Sequence, residues 1–308
     1  MPRIGALRAV SATIALACVL PAETRWSFPN QITPILTFGG CNQTACHGSP
    51  FGKNGFKLSL FGYQPEDDYA AIRKRVNTKD PALSLIVLKP TMSVAHAGGP
   101  RFKKDSHEYK TLLAWIEAGA LLGDKDAPVI TKLEVAPGYR VLQSISEKQQ
   151  LTVTAVYSDG VREDVTPRAV YTSNDDSILK IDRAGLATPA GGNGDAALMV
   201  RYGGHFAARV LGATMLPEPR RFPAAPENVI DREVYAKLRD LRIVPSGLCT
   251  DAEFIRRLYL DVIGVLPSPA EVRIFLSSKS PDRRALLVEQ VLARPEYADL
   301  QTLMWADR

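Results

Sequence analysis

Apolar and polar residues follow different periods in successive parts of the chain, and each period indicates a different kind of structure. Three early segments are predicted to be helices, over residues 29–36, 65–76 and 106–118. In the last of them the apolar residues recur at helical spacing, and Pro65 with the acidic residues after it marks the start of the second. Gly39 and Gly40 follow the first of these helices and are expected to end it. Glycine-rich loops separate the three segments.

The middle of the chain alternates apolar and polar residues between turn dipeptides, a pattern typical of short β-strands. Residues 151–157 show period-two alternation and are rich in β-branched side chains, so they predict a strand, with a turn at residues 158–160. The same pattern of alternating apolar and polar residues between turns predicts strands over residues 177–182, 185–188, 196–202 and 205–211. Strands at this spacing indicate a small β-sandwich.

Helical spacing returns after a linker that is rich in proline. It predicts helices over residues 229–242, 251–263, 269–277 and 281–293, and a last one from 295 onward. Ser268, Pro269 and Glu271 form a capping-box signature at the start of one of them. Because no stop signal follows the last helix before Arg308, we expect the helical domain to continue beyond this residue.

These patterns predict a multidomain protein with α and β parts. A signal peptide is expected over residues 1–22, an α-helical domain over 28–123, a β-sandwich over 129–214, a proline-rich linker over 215–227 and the N-terminal part of an all-α domain over 228–308.

The first residues have the features of an export signal. Arg3 and Arg8 precede an apolar stretch, residues 9–20, which is too short to span a bilayer comfortably. Cys18 is a candidate for lipid attachment, but Ala15 matches the usual pattern poorly, so we favour simple cleavage near Ala22. No later segment is apolar and long enough for a membrane helix, and the mature protein is expected in the periplasm or at the cell surface.

The net charge of +5 is mild, and no long run of one sign indicates nucleic-acid binding. The surplus is concentrated, however, because eleven Lys or Arg and six Asp or Glu lie between Gly52 and Lys110. A basic face there is suited to an acidic partner protein, although a solvated surface is the commoner explanation.

The candidate chemistry lies in the heptapeptide Cys41-Asn42-Gln43-Thr44-Ala45-Cys46-His47. In c-type cytochromes two cysteine thiols add to the haem vinyl groups, and the histidine that follows ligates the iron. The usual spacing has two residues between the cysteines, whereas this chain has four. The heptapeptide alone therefore leaves three readings open: covalent haem, a Cys41–Cys46 disulfide and a metal site.

The β segment resembles the bacterial immunoglobulin-like domains of the second group. Their "TSND" pattern matches residues 172–175, and their "I-D-x-x-G-L" pattern matches residues 181–186. Tyr171 stands where these domains usually carry tryptophan. The resemblance implies an Ig-like sandwich that acts as a spacer or adhesion module, and His205 within it is interpreted as structural or exposed.

A second resemblance covers nearly the whole mature chain, in matching order. The segments "GGCNQTACHGSPFGKNGFKLSLFGYQPEDDY", "SLIVLKPTMSVAHAGGPRF" and "DSHEYKTLLAWIEAGA" look like the cytochrome-like module of large planctomycete surface proteins. The tail segments "FIRRLYLDVIGVLPSPAEV" and "ARPEYADLQTLMWADR" are similar to a domain of unknown function in those proteins. The resemblance implies a cytochrome c-like domain with covalent haem c and its iron, held by Cys41, Cys46 and His47, and one-electron transfer to a redox partner.

In the planctomycete modules a distal methionine precedes the last helix by a short glycine- or proline-containing loop. His96 lies nearest to that position here, with Met92 four residues earlier. We favour His96 as the sixth ligand, with Met92 or an open position as alternatives. His107 is interpreted as a solvated residue of the helix.

Two rival functions remain, and an enzymatic function is the weakest reading. Cys41, Cys46, His47 and His96 could form a tetrahedral zinc site. Alternatively, the chain is a noncatalytic surface module that has a Cys41–Cys46 disulfide and binds glycan or a neighbouring protein. Neither a recognisable Ser-His-Asp order nor a phosphate-binding glycine loop is present in the sequence.

Overall fold

The protein is described by a computed structural model over residues 26–224 and 228–307. The predicted signal peptide and Cys18 lie outside these residues. The chain divides into two compact units, Met1–Glu218 with Asp240–Arg242 and Pro219–Arg239 with Ile243–Arg308. Helices and β-sheets are both present, with the strands in the middle of the chain and helices at its C-terminal end, so the predicted mixture of α and β parts is confirmed.

The first unit begins with a helical region, residues 26–123. A π-helical turn (Phe28–Ile32) continues into α1 (Thr33–Phe38), and α2 (Pro65–Arg73), α3 (Leu85–Leu88) and α4 (His107–Glu117) follow. Short 3-10 turns occur at Leu60–Gly62 and Pro81–Leu83. The helices predicted over residues 65–76 and 106–118 are confirmed with slightly different ends, whereas the four-residue α3 was not predicted.

One buried core holds the helical region together. Trp115 is fully buried, its ring lies 5.7 Å from that of Phe28, and its indole nitrogen donates to the carbonyl of Leu121 at 2.8 Å. Ser106 caps α4 as predicted, accepting from the backbone N–H of Tyr109. The other large side chains that are fully buried in this core are those of Ile32, Leu36, Leu58, Ile72, Leu112 and Ile116.

The rest of the first unit is a β region, residues 130–213. Its strands are β1 (Ile130–Ala136), β2 (Val141–Leu142), β3 (Gln149–Gln150), β4 (Thr152–Tyr157), β5 (Arg162–Asp164), β6 (Val170–Ser173), β7 (Leu179–Ile181), β8 (Leu186–Pro189), β9 (Gly194–Tyr202) and β10 (His205–Ala213). The predicted strands correspond to β4, β7, β8, β9 and β10 and are confirmed. The others were not predicted individually.

Three sheets enclose the core of the β region, in the orders β1-β4-β5, β2-β10-β9-β6 and β3-β8-β7. The β9–β10 hairpin is the longest pairing and runs from Tyr202 opposite His205 to Gly194 opposite Ala213. All neighbours are antiparallel except β2 and β10. Buried residues alternate along β9, as expected for a strand with one face on a core.

Tyr171 fixes the approach of β6 to the turn before β8. Its hydroxyl donates to the carbonyl of Thr166 at 2.8 Å. Gly185 has a φ of +80° and lies so close that a Cβ there would be 2.9 Å from the Tyr171 ring. Glycine is therefore required at position 185 both by the backbone conformation and by the space available.

Contacts between the helical and β regions are made by side chains of both. The Arg183 guanidinium lies 4.8 Å from the Phe38 ring centroid, and that of Arg201 lies 4.5 Å from Phe61. The side-chain amide of Asn30 donates to the Pro128 carbonyl at 2.6 Å. These contacts join the two regions within one unit.

The second unit is helical. It contains α5 (Val229–Asp240, whose last residue belongs to the first unit), α6 (Asp251–Ile263), α7 (Pro269–Ser277), α8 (Arg283–Leu292) and α9 (Pro295–Ala306). The predicted capping box of Ser268 and Glu271 is confirmed at the start of α7. The helix predicted from residue 281 begins two residues later, because Pro281 and Asp282 form a turn in which Ser280 accepts from the Asp282 N–H. Within the residues described, no helix is long and apolar enough to cross a membrane.

The crowding at Gly185 gives a stability prediction. Gly185→Ala should destabilise the β region by roughly 1–2 kcal/mol from left-handed backbone strain, plus about 1–3 kcal/mol from overpacking against Tyr171. Gly191 has a φ of +103° with nothing near its Cβ position, so Gly191→Ala should show the backbone strain alone. The destabilisation in each variant is measured by hydrogen exchange of peptides from β9 and β10, followed by mass spectrometry. Equal loss of protection in the two variants would show that the Tyr171 contact is not restrictive.

Candidate functional site

The end of α1 positions the first cysteine of the motif. Gly40 has a φ of +71°, its N–H donates to the carbonyl of Thr37 at 3.0 Å, and the N–H of Cys41 donates to Leu36 at 2.8 Å. This pair of bonds is the Schellman arrangement that satisfies the last carbonyls of a helix. The glycine pair therefore both ends the helix and directs Cys41 out of it.

The motif itself folds back on its own backbone. The His47 N–H donates to the carbonyl of Cys41 at 2.9 Å, and that of Cys46 donates to Gln43 at 2.9 Å. Gly48 allows this tight return, because a Cβ at that position would lie 2.1 Å from the Asn42 carbonyl oxygen. The four intervening residues thus form a compact loop that brings both cysteines and His47 to one cavity.

A two-residue turn orients the His47 ring. Lys53 and Phe56 exchange backbone hydrogen bonds of 2.9 and 3.0 Å, and the intervening Asn54 and Gly55 both have positive φ, as a type I′ turn requires. The Phe56 carbonyl also lies 3.0 Å from His47 Nδ1. A carbonyl can only accept, so Nδ1 carries the proton and Nε2 of the neutral ring keeps its lone pair.

A second glycine-dependent turn orients His96 in the same way. His96 Nδ1 lies 2.9 Å from the carbonyl of Gly99, whose N–H donates back to the His96 carbonyl at 2.9 Å. Gly99 has a φ of +71°, and a Cβ on Gly98 would lie 2.9 Å from His96 Cε1. Nε2 of neutral His96 is therefore also available as a ligand atom.

The two imidazoles lie close together. Their centroids are 6.4 Å apart and their planes differ by 11°. Metal–nitrogen bonds of about 2 Å would put two imidazoles on opposite sides of one ion with centroids about 6 Å apart. The observed separation of 6.4 Å is close to this centroid distance.

Both rings line a cavity of about 570 Å³, which also contains the two cysteines of the motif. This volume is in the range of cofactor and small-ligand sites. Apolar side chains contribute to its wall, and cations complete it. The other lining residues include Phe56, Leu85, Ile86, Pro90, Lys53, Arg75, Lys89 and Arg101.

Met92, the alternative sixth ligand, is exposed and does not line this cavity. His107 is the exposed first residue of α4, and His205 begins β10. Cys249 belongs to the second unit. The structure thus brings together Cys41, Cys46, His47 and His96 and leaves Met92 outside.

The two thiols are free and have different environments. Burial raises the pKa of Cys41 to about 11, although the nearby Arg101 opposes this shift. Cys46 is partly exposed, and the Arg101 guanidinium donates to its sulfur at 3.4 Å. Arg101 is therefore the cation in direct contact with the motif.

Burial also lowers the pKa of His47, with the charges of Arg75 and Arg101 contributing in the same direction and the Phe56 carbonyl opposing them. A lowered pKa keeps this imidazole neutral, and only neutral imidazole can ligate a metal. Among the residues that the structure covers, no group of three or more Cys, His, Asp and Glu side chains is arranged to hold a metal ion.

Sequence reasoning missed the residues that orient the two imidazoles. Asn54-Gly55 is a strong hairpin signal and could have been recognised. The role of Phe56 as the carbonyl partner of His47 follows only from the three-dimensional turn. The cations of the cavity were counted in the sequence as part of a basic surplus, but their convergence was not predicted.

One comparison with known proteins gives a match. Residues 229–308 match the model of a protein family described as PSCyt2, a protein of unknown function (DUF1549). This match supports the resemblance of the C-terminal helices to the planctomycete domain of unknown function. A comparison with curated proteins gives no match.

The environments of the two thiols predict different reactivities. At pH 8 roughly one Cys41 in a thousand should be thiolate, given its pKa of about 11, and its side chain is also buried. Iodoacetamide should therefore alkylate Cys46 at least about tenfold faster than Cys41, and raising the pH toward 11 should accelerate the Cys41 reaction. Timed alkylation followed by peptide mass spectrometry measures both rates. Denatured protein, in which the rates should converge, is the control, and equal rates in the native protein would contradict the assigned burial.

Proposed function

We propose that this chain is an exported c-type haem protein that performs one-electron transfer within a larger surface protein. Cys41 and Cys46 would attach the haem covalently, and His47 and His96 would be the axial ligands of its iron. The observation that carries the proposal is the pair of imidazoles in one cavity with both cysteines, 6.4 Å apart and nearly parallel.

The number of converging ligands favours haem over zinc. A structural zinc ion takes four protein ligands, and no three of the described Cys and His side chains are arranged around one point. A haem iron takes four nitrogens from the porphyrin and only one or two ligands from the protein. Each imidazole has its Nδ1 committed to a backbone carbonyl, which is the outer-shell contact that orients a metal-ligating histidine. The apolar part of the wall, including Phe56, Ile86 and Pro90, suits a flat organic macrocycle.

The charge of the cavity supports the same choice. The cavity is lined by Lys53, Arg75, Lys89 and Arg101, and within residues 26–224 and 228–307 no carboxylate lines it. A bare divalent cation would be repelled by these side chains. Haem carries two propionate groups, so its overall charge is better matched to this environment.

Haem supplies the redox chemistry when bound, because its iron changes between the ferric and ferrous states. The residues of the chain would hold it, ligate it and tune it. Two imidazole ligands favour a lower reduction potential than an imidazole and a thioether. The chain also supplies partial exclusion of water around His47, which is half-buried.

The finer domain assignments belong to the same proposal. We assign the β region as an immunoglobulin-like spacer of the second bacterial group, on the residues 172–175 and 181–186 that match its pattern. The second unit would be the start of the planctomycete domain of unknown function, and the family match at residues 229–308 supports this. The proposal also includes export to the periplasm or cell surface, where covalent haem attachment occurs. An acidic redox partner would suit the basic surplus between Gly52 and Lys110.

Haem attachment is tested by expressing the full chain in a host with an export and haem-attachment pathway. The protein should show a Soret band and an intact mass increased by one haem, and Cys41→Ala/Cys46→Ala should lose the covalent mass adduct. Cys249→Ala, which changes a cysteine of the second unit, is the matched control and should keep both signals.

Expressed beside a cytochrome that matures in the same host, a colourless protein without the adduct would overturn the proposal. Bound zinc would then favour the zinc site, and a mass two hydrogens lower would favour the disulfide-bonded surface module.

The axial ligands are tested by variants of the haem-loaded protein. His96→Ala should convert the visible spectrum from a low-spin to a high-spin type, because one of the two strong-field ligands is lost. His96→Met should raise the reduction potential by on the order of 100 mV, a part of the range that axial ligands span. Met92→Ala and His107→Ala should leave spectrum and potential unchanged. A spectrum that changes in Met92→Ala and not in His96→Ala would identify Met92 as the ligand.

A further inference from the structure

Among the residues that the structure describes, four cationic side chains and no acidic one line the cavity. The cations come from separate parts of the helical region: Lys53 from the type I′ turn, Arg75 from the segment after α2, Lys89 from the end of α3 and Arg101 from the loop after His96. Arg75, Lys89 and Arg101 are half-buried, whereas Lys53 is exposed. The fold thus gathers positive charge at one place from four positions distant in sequence.

None of these four side chains forms an ion pair within residues 26–224 and 228–307. Arg75 donates to the carbonyls of Ala71 and Gly55 at 3.0 and 3.3 Å, and Lys89 donates to that of Ala95 at 2.7 Å. Neutral carbonyls satisfy hydrogen bonds but do not neutralise charge. Among the described residues, therefore, no ion pair neutralises the four cations of the cavity.

Three other half-buried arginines of this protein pair with carboxylates, whereas Arg209, also half-buried, donates to the Val135 carbonyl. Arg283 and Arg284 both pair with Asp251, at 2.5 and 2.7 Å, and Arg294 pairs with Glu271 at 2.9 Å. Withdrawing a charge from water without a partner is unfavourable, which explains why such pairs form. The unpaired cations around the cavity are consistent with a partner that is not part of the chain.

We propose that Lys89 and Arg101, assisted by Lys53 and Arg75, bind the two carboxylate groups of the cavity's ligand. This inference rests on the proposed function, in which those carboxylates are the haem propionates. Arginine and lysine form short, charge-assisted hydrogen bonds with carboxylates, and a planar guanidinium can bind one with two N–H groups. The cations would then hold the carboxylate groups of the ligand, and the two histidines would hold its iron.

The four residues are not equally suited to a test by substitution. The Arg75 guanidinium lies 3.9 Å from the Phe56 ring centroid and donates to Gly55, so its loss would also disturb the turn that orients His47. Lys89 and Arg101 have no such contact with that turn in the structure. Lys57 and Lys103 are exposed lysines of the same region that do not line the cavity, and they provide a matched control.

Reversible binding allows the carboxylates of the ligand to be tested directly. Full-length Cys41→Ala/Cys46→Ala protein, which cannot form thioethers, is titrated with iron protoporphyrin IX and with its dimethyl ester, and the Soret band is followed. The free acid should bind at least about tenfold more tightly than the ester, because only the acid offers charge to the cations.

Adding Lys89→Gln and Arg101→Gln should weaken binding of the acid and reduce its preference over the ester to less than about threefold. Adding Lys57→Gln and Lys103→Gln should leave the preference unchanged. Circular dichroism of each variant verifies that the helices are retained. The comparison of acid with ester in the protein that keeps all four cations does not depend on any charge variant.

The outcomes separate the two proposals. Equal affinity for acid and ester, with low-spin spectra for both, would overturn carboxylate binding by the cations and leave the haem site intact. Binding of neither compound would overturn the haem site itself and this inference with it. A preference for the acid that survives in Lys89→Gln/Arg101→Gln would overturn the assignment to these two residues.

Discussion

The site depends on two hydrogen bonds between an imidazole and a backbone carbonyl. His47 Nδ1 lies 3.0 Å from the Phe56 oxygen and His96 Nδ1 lies 2.9 Å from the Gly99 oxygen, so both rings present Nε2 as the potential ligand atom. Backbone carbonyls are rigid partners because the turns that carry them are closed by their own hydrogen bonds. The ring separation of 6.4 Å is therefore set by main-chain geometry rather than by mobile side chains.

Local rules of chain conformation account for most of this geometry. Gly40 ends α1 and releases Cys41, Asn54-Gly55 forms the turn that presents Phe56, and Gly98 leaves space beside His96. The buried core around Trp115 holds these turns against one another. A substitution at a glycine of these turns would thus change the site without touching a ligand, because the ligands take their orientation from the backbone.

The sequence predicted elements well where a local signal is strong. The capping residues Ser106 and Ser268 gave helix starts that the structure confirms, and period-two alternation gave β4. The short strands β2, β3 and β5 carry too few residues for a periodic pattern. Within the site, the cysteines and both histidines were identified from the motif and the resemblance. The convergence of four cations on the cavity could not be predicted, because it depends on tertiary packing of segments that are far apart in sequence.

Charge and ligation have opposite effects on the proposed haem. Two imidazoles stabilise the ferric state relative to a thioether ligand, which lowers the reduction potential. Uncompensated cations near the iron disfavour the ferric state, which carries the greater positive charge, and so raise the reduction potential. Carboxylates bound by Lys89 and Arg101 would cancel part of this increase in potential, so the potential would depend on how completely these ion pairs form. The same cations that position such a ligand would therefore also determine how readily it accepts an electron. Because salt screens exposed charges more than buried ones, added salt should change the reduction potential mainly through the exposed Lys53.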